Sequence, residues 1–406
     1  MNNFALLDYL FRNTPLFYMN GVKAVKDTFQ GYVRKNGTVG VRNQIAIIPS
    51  VFCSGKVAER IAYQVPGSVY LKHPVGCSQV GEDLEITART LIEIGKNPNF
   101  AGVVVVGLGC ERFSPYELAD GIAPTEKMLE TVVIQDEGDS LKTIQQGVKY
   151  ARQMQQIASQ QQRETVSISK LTVGLISDEV SHPSDAFTND AIGYFSDLLV
   201  GKEGSVILSQ IQQLIDGKNE VVNRVSGENL KRRVEKLLDE RKTRFKEIGN
   251  RGDISNSVTS TVSNNKNEAV NALKKAGTTG IKEIITYKAP PEKSGLLLLD
   301  SYGHEGEVAT SLVAAGAQMV LFSSGRGTPT GFPGTPVMKI SGNKENLGRL
   351  KENIDLFTNG NEVQDVANIE VVGNRIYNHV LECASGHSVK SELLGHDELF
   401  CITRLP

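Results

Sequence analysis

From residue 31 onward, strand-length apolar runs alternate with helix-length segments, and this alternation predicts an α/β fold. The expected form is two Rossmann-like, mostly parallel α/β units with helices on both faces and an intervening helical and loop insertion. Three observations carry the reading. The uninterrupted run Val103 to Val106 has the length and β-branched content of a strand buried on both faces. The same grammar returns in the last third, with apolar runs over 295–300 and 319–323 flanking a helical segment. Between the two, beyond Gly217, the chain turns to the charged LKRRVEKLLDERKTRFKE and then to a Ser/Thr/Asn/Gly-rich stretch over 250–265. The expected organisation is an N-terminal arm (1–30), a first α/β domain (31–216), a helical and loop connection (217–290) and a second α/β domain (291–406).

In order, Asn36-Gly37 marks a tight turn ahead of a strand over 44–49. Cys53-Ser54 opens a helix through Ile61, with Ser54 placed to cap it while Cys53, at the strand end, could face a site. After His73-Pro74-Val75-Gly76-Cys77 comes a helix, then the Val103 to Val106 strand, which Gly107-Leu108-Gly109 breaks with a turn. Cys110 and Glu111 are thereby expected at a strand's carboxyl end, the edge where open α/β sheets bind ligands. A strand over 131–134, a long Gln-rich helix over 140–163 and a strand over 171–176 follow. Pro183 and Ser184 then begin a helix, with His182 and Asp185 beside its start. Later come a charged helix over 228–247 and one from Asn265-Lys266 through Lys275. The second unit offers a strand over 295–300, a helix over 307–315, a strand over 319–323 and the loop SSGRGTPTGFPGTP. A helix in the second half of 362–384 ends with Gly386 as its C′ residue.

Lys+Arg number 44 and Asp+Glu 46, a net charge of −2, so no bulk field attracts nucleic acid or an anionic membrane. Five cysteines without a CxxC pair fit reduced thiols and a cytoplasmic location rather than a disulfide framework or zinc ribbon. No run reaches the roughly 18 apolar residues of a membrane span. The apolar start NNFALLDYLFRNTPLFYMNGV, broken by Asp8 and Arg12, reads as a helix or arm on the body.

A nucleotide cofactor is not expected. Arg112 stands where the third glycine of a dinucleotide fingerprint would be, and no GxxxxGK[ST] occurs. Cys77 and Cys110, each after a glycine and near His73 and Glu111, could supply sulfur, nitrogen and oxygen ligands to a transition metal such as iron(II); both could equally be buried core thiols. Arg326 between Gly325 and Gly327 could clasp a carboxylate, or lie solvated in a turn. Thr278 and Thr279 after Gly277 could donate hydroxyls to a polyol or cap a helix, and Lys390 could serve as a base or lie in a solvated tail.

Six ordered stretches, GYVRKNGTVGVRNQIAIIPSVFCS, HPVGC, NPNFAGVVVVGLGCE, KKAGTT, SSGRGTP and ASGHSVKSE, resemble the altronate/galactarate dehydratase family, which includes the large subunit of sulfolactate sulfo-lyase. The resemblance runs from about Gly31 to near the C-terminus. It implies a hydro-lyase that removes water from a sugar acid such as altronate or galactarate to leave a 2-keto-3-deoxy acid. The alternatives are a sulfo-lyase large subunit releasing sulfite, or a catalytically silent sugar-acid-binding homologue. A divalent metal is implied, iron(II) first and manganese(II) second, held by His73, Cys77, Cys110 and Glu111. Polarising the carboxylate and 2-hydroxyl is the chemistry such an ion would supply.

Catalytic roles fall by the same resemblance to His182, Asp185, Lys266 and Lys390, with His182 and the two lysines as candidate bases. Substrate contacts fall to Arg42, Asn43, Thr278, Thr279, Gly325, Arg326, Gly327, Ser385 and Gly386. The chain departs from the family in reading His182-Pro183 where a Gly-Gly pair is usual, and Asn264-Asn265 before Lys266 in place of Pro-Gly-Asn. The family's small N-terminal domain is expected to be absent or supplied by a separate small subunit, and a homo-oligomer is expected.

Overall fold

The computed structural model describes residues 26–178, 185–250, 265–286, 291–358 and 368–402. It is an α/β structure, as the sequence predicts. The chain enters as a hairpin of β1 (Thr28–Val33) and β2 (Val39–Gly40) over the Asn36-Gly37 turn. Gly37 takes φ 78°, which favours glycine, and Asn36 Oδ1 accepts the Thr38 N–H at 3.2 Å.

Next come β3 (Gln44–Pro49), α1 (Gly55–Tyr63), β4 (Ser68–Tyr70), α2 (Gly81–Lys96), β5 (Phe100–Gly107), α3 (Pro115–Ile122) and β6 (Met128–Val133). The four strands β3 to β6 make a parallel sheet in the order β4-β3-β5-β6. Each crossover is helical, as parallel pairing requires. In β5, Val103 and Val105 face one core while Val104 and Val106 face another, and all four are fully buried. A period of two with both faces covered explains the unbroken valine run.

The helix α4 (Ser140–Gln160) starts on Asp139, whose carboxylate accepts the Leu141 and Lys142 N–H groups. It leads to β7 (Glu164–Ser167), which pairs antiparallel with β1 and completes a three-stranded sheet that the sequence did not announce.

The remainder builds one seven-stranded parallel sheet. Its elements are β8 (Thr172–Ser177), α5 (Asp185–Gly201), β9 (Ser205–Leu208), α6 (Lys218–Asn223), α7 (Glu228–Asn250), α8 (Lys266–Lys274), β10 (Ile281–Ile285), β11 (Leu296–Leu299), α9 (Glu305–Ala314), β12 (Met319–Ser323), β13 (Val337–Ser341), α10 (Lys344–Arg349), β14 (Leu356–Phe357) and α11 (Ile369–Ala384). The strand order is β10-β11-β9-β8-β12-β13-β14. β8 and β9 thus pair with strands of the last third, so the sheets divide the chain between β6 and β8 rather than at 216. The charged α7 is no separate insertion either, since Val234 and Leu238 on its apolar stripe are buried in the larger core.

The two parallel sheets share a core. Ala46, Ile48, Val103 and Val105 of the smaller meet Leu297, Leu299, Val320 and Phe322 of the larger through Val308, Leu312 and Val313 of α9. Asn97 and Asn99, at the entry to β5, seal the join by donating to the carbonyls of Val313, Ala317 and Gln318 at 2.8–3.0 Å.

Candidate active site

Three of the loops that leave the carboxyl edge of the smaller sheet carry a cysteine. The order β4-β3-β5 sets Cys77, Cys53 and Cys110 on neighbouring strand ends, and all three are exposed. The Phe52 N–H donates to the Val75 carbonyl at 2.9 Å, tying the Cys53 loop to the Cys77 loop. Ser54 does not cap α1; its hydroxyl donates to the carbonyls of Val51 and Val106 at 2.9 and 2.7 Å and clips the loop to β5. Partial burial pushes the Cys53 thiol pKa up, and contact with the Cys77 thiol and the nearby Cys110 add to the rise.

The expected metal ligands His73 and Glu111 have other work. His73 is buried, with Nε2 2.7 Å from the Pro49 carbonyl and Nδ1 3.4 Å from the Val75 N–H. A carbonyl can only accept, so Nε2 carries the proton and the Nδ1 lone pair faces a donor. Burial lowers the imidazole pKa, and the two hydrogen bonds only partly oppose it. Glu111 accepts from Ser50 Oγ (2.6 Å) and the Leu108 N–H (3.0 Å) through Oε1, and from the Gly109 N–H (2.6 Å) through Oε2. Burial works to raise this carboxyl, but hydrogen bonds led by Ser50 outweigh it and hold the pKa below the ordinary value. Among the described residues, no three His, Cys, Asp or Glu side chains are arranged to hold one metal ion. The four-residue ligand set His73, Cys77, Cys110 and Glu111 therefore does not fit a mononuclear centre.

A second feature lies on the larger sheet. The chain leaves β8 toward β9 on one side and passes from β12 to β13 on the other, and such a reversal opens a crevice at the carboxyl ends of the strands. Asp178, just past β8, accepts from Ser324 Oγ and from the Gly325 N–H at 3.3 Å. The Gly327 N–H donates to Ser324 Oγ at 2.7 Å with φ 85°, and Asn343 and Asn346 hold the Gly325 carbonyl at 2.9 and 3.1 Å. The Gly325-Arg326-Gly327 loop is thus braced by the Asp178 carboxylate, the Ser324 hydroxyl and two asparagine amides, and Arg326 is exposed at its tip. Beneath it Lys275 is fully buried, its amine on Ser177 Oγ (2.8 Å) and Gln213 Oε1 (3.0 Å). Glu305 opens α9 nearby; burial first, and Asp178 against the opposing His304, raise its carboxyl pKa.

The C-terminal segment links the two edges. Phe400 meets His73 edge-on at 6.3 Å, while Cys401 lies against Gly306 at the start of α9. A cavity of about 380 Å³ lined by Arg34, Thr125 and Lys127 sits at the other end, beside the starts of β5 and β6. Its Lys127 amine already donates to the carbonyls of Gly95 and Asn97, which makes it a brace for the backbone.

Most of the other expected site residues are engaged within the fold. Arg42 spends its guanidinium on Glu392 (2.6 and 2.7 Å) and on the carbonyls of Val41, Cys383 and His387. Asn43 bridges Arg34 and the Ala158 carbonyl. Thr278 and Thr279 turn their hydroxyls and N–H groups onto the Asp197 carboxylate at 2.7–3.0 Å. Ser385 accepts the Gln30 N–H, and Gly386, with φ 113°, is the C′ residue of α11 against Arg163. The Lys390 amine donates to the carbonyls of Lys351 and Ile354. Lys266 is an exposed first residue of α8 paired with Glu220 at 2.5 Å. Asp185 opens α5, and His182 lies outside the described residues. The sequence marks Cys53 only as a strand-end residue able to face a site, with no ligand role, and gives no role to Lys275, although the latter stands inside the KKAGTT stretch.

The parallel sheets thus carry thiols at one carboxyl edge and an arginine loop at the switch point of the other, the edges at which α/β proteins bind ligands. The chain belongs to the galactarate/altronate dehydratase family, a family of lyases. The family's "D-galactarate dehydratase/Altronate hydrolase, second domain" matches residues 31–159, and "D-galactarate/Altronate dehydratase, C-terminal" matches 168–406. An altronate dehydratase of Bacillus subtilis is 28% identical over 408 residues, covering 96% of this chain and 80% of the relative. The (2R)-sulfolactate sulfo-lyase subunit beta of Chromohalobacter salexigens is 30% identical over 385 residues, 93% of this chain and 97% of the relative. A galactarate dehydratase (L-threo-forming) of Escherichia coli is 29% identical over 386 residues, 88% and 73% respectively. Among the described residues no helix is long and apolar enough to cross a membrane.

Proposed function

We propose that the chain eliminates water from a small polyhydroxy carboxylic acid, of the altronate or galactarate kind, to give a 2-keto-3-deoxy acid. The observation that supports this most is the crevice between β8 and β12, where a braced arginine loop meets Asp178. The Arg326 guanidinium suits bidentate pairing with the substrate carboxylate. Elimination then needs a base for the proton next to that carboxylate and an acid for the departing 3-hydroxyl. Glu305, kept protonated more readily by burial and by Asp178, is suited to the second task. For the base, Lys266 and Lys390 are engaged elsewhere. The test is 2-keto acid formation from each sugar acid, comparing the wild type with Arg326→Ala.

The second reading is sulfite release from sulfolactate with a separate small subunit. It is favoured by the match covering 97% of the sulfo-lyase β subunit. In that reaction a base takes the C2 proton, the C2–H pair forms the C=C bond, the C–S bond breaks with its pair leaving on sulfite, and the resulting enol takes a proton at C3 to become pyruvate. Free sulfite, formed only when the small subunit is added back, would select it.

A further inference from the structure

We propose that Cys53, Cys77 and Cys110 together bind an iron–sulfur cluster, one thiolate from each of three adjacent strand ends, leaving one iron without a protein ligand. The inference does not depend on which acid is the substrate.

Free cysteines are usually buried, small hydrophobes. Here Cys383 is, whereas these three are exposed and gathered at one edge. The loops that carry them are fixed from behind. Gly76, with φ 119°, packs so closely on Val51 that an added Cβ would lie 3.2 Å from its Cα. Gly109, with φ 122°, is held by Glu111, which also reaches Ser50 beside the Cys53 loop. His73 pins the Pro49 carbonyl at the end of β3. His73 and Glu111 therefore position loops, and the thiols are the soft donors that these loops leave exposed.

All-sulfur sets select zinc, copper(I) or iron–sulfur centres. Structural zinc closes its shell with four protein ligands. His73, the nearest imidazole in sequence to these thiols, has both nitrogens engaged. The Cys53 thiol touches Cys77, and Cys110 is close enough to influence its charge. Yet no three groups among the described residues converge on a single ion. Three thiols on three separate strand-end loops, with no fourth protein ligand beside them among the described residues, suit a polynuclear cluster, whose irons are held by separate cysteines.

The full-length protein, purified anaerobically, is reconstituted with ferrous iron and sulfide, freed of unbound ions and assayed for iron and acid-labile sulfide. The proposal predicts about four of each per chain, as in a cubane cluster, with a broad visible absorption. Cys53→Ser abolishes both, and Cys401→Ser leaves both intact. A wild-type readout guards against misfolded variants: mass-spectrometric alkylation mapping shows Cys53, Cys77 and Cys110 protected by reconstitution while Cys401 stays as reactive as before. Iron retained without labile sulfide, protection of all three thiols by zinc alone, or thiols equally reactive before and after reconstitution overturns it.

Discussion

Replacing Arg42 by alanine separates a structural clamp from a substrate contact. The side chain is 8% exposed and joins the start of the smaller sheet to the C-terminal region, bonding a carboxylate 350 residues away. Truncation leaves the Glu392 carboxylate, 22% exposed, without its bidentate partner and strips donors from three carbonyls. Breaking a largely buried pair from one side costs about 3–5 kcal/mol, and a lost neutral acceptor about 1 kcal/mol each where water does not replace the donor. Since Glu392 is still partly reached by solvent and still accepts the Val389 N–H, the expected loss is about 4 kcal/mol in all. Urea unfolding followed by circular dichroism measures it. Turnover at a temperature where the variant remains folded should show KM unchanged. A large rise in KM with stability altered by less than about 1 kcal/mol would refute the clamp and restore Arg42 to the substrate site.

Further outcomes follow from the same geometry. Arg326→Ala should lower kcat/KM by roughly 10- to 100-fold, the worth of one charged hydrogen-bond pair, as steady-state kinetics would show. Glu305→Gln should lower kcat by about 100-fold or more and remove the basic limb of its pH profile, because the acid form is the working one. Thr278→Val with Thr279→Val should cost about 1–3 kcal/mol, by leaving Asp197 short of donors, with KM unmoved. His73 has a depressed pKa in the folded state, so the unfolded chain binds the proton more readily and stability falls as pH drops below about 6.5. His73→Gln should flatten the loss between about pH 6.5 and 5, read as urea midpoint against pH, while leaving iron content unchanged.

Much of the scaffold was legible because its signals are local. The valine run declared β5 by its length and branching, 319–323 matched β12 residue for residue, and Asn265 and Gly386 marked helix ends through their own backbone chemistry. Sheet membership was not local. Nothing within β8 or β9 says that β11 and β12 will flank them, so the boundary expected at 216 fell inside a sheet. The β1–β7 pairing joins residues well over a hundred positions apart. At the site, the Gly-Arg-Gly loop and the strand-end cysteines were readable from residue type and position. His73 and Glu111 looked like ligands because they neighbour cysteines in sequence, but their partners, the Pro49 carbonyl and the Ser50 hydroxyl, lie on another strand end. Cys53 became a member of the cluster only once the strand order placed it between the other two.

The most direct measurement of the central claim is product analysis of the anaerobically purified, iron-supplied protein incubated separately with altronate, galactarate and sulfolactate. The account predicts a 2-keto-3-deoxy acid from at least one of the two sugar acids, formed at a rate that Arg326→Ala sharply reduces. No 2-keto acid from either sugar acid, together with sulfite from sulfolactate or no turnover at all, would contradict it.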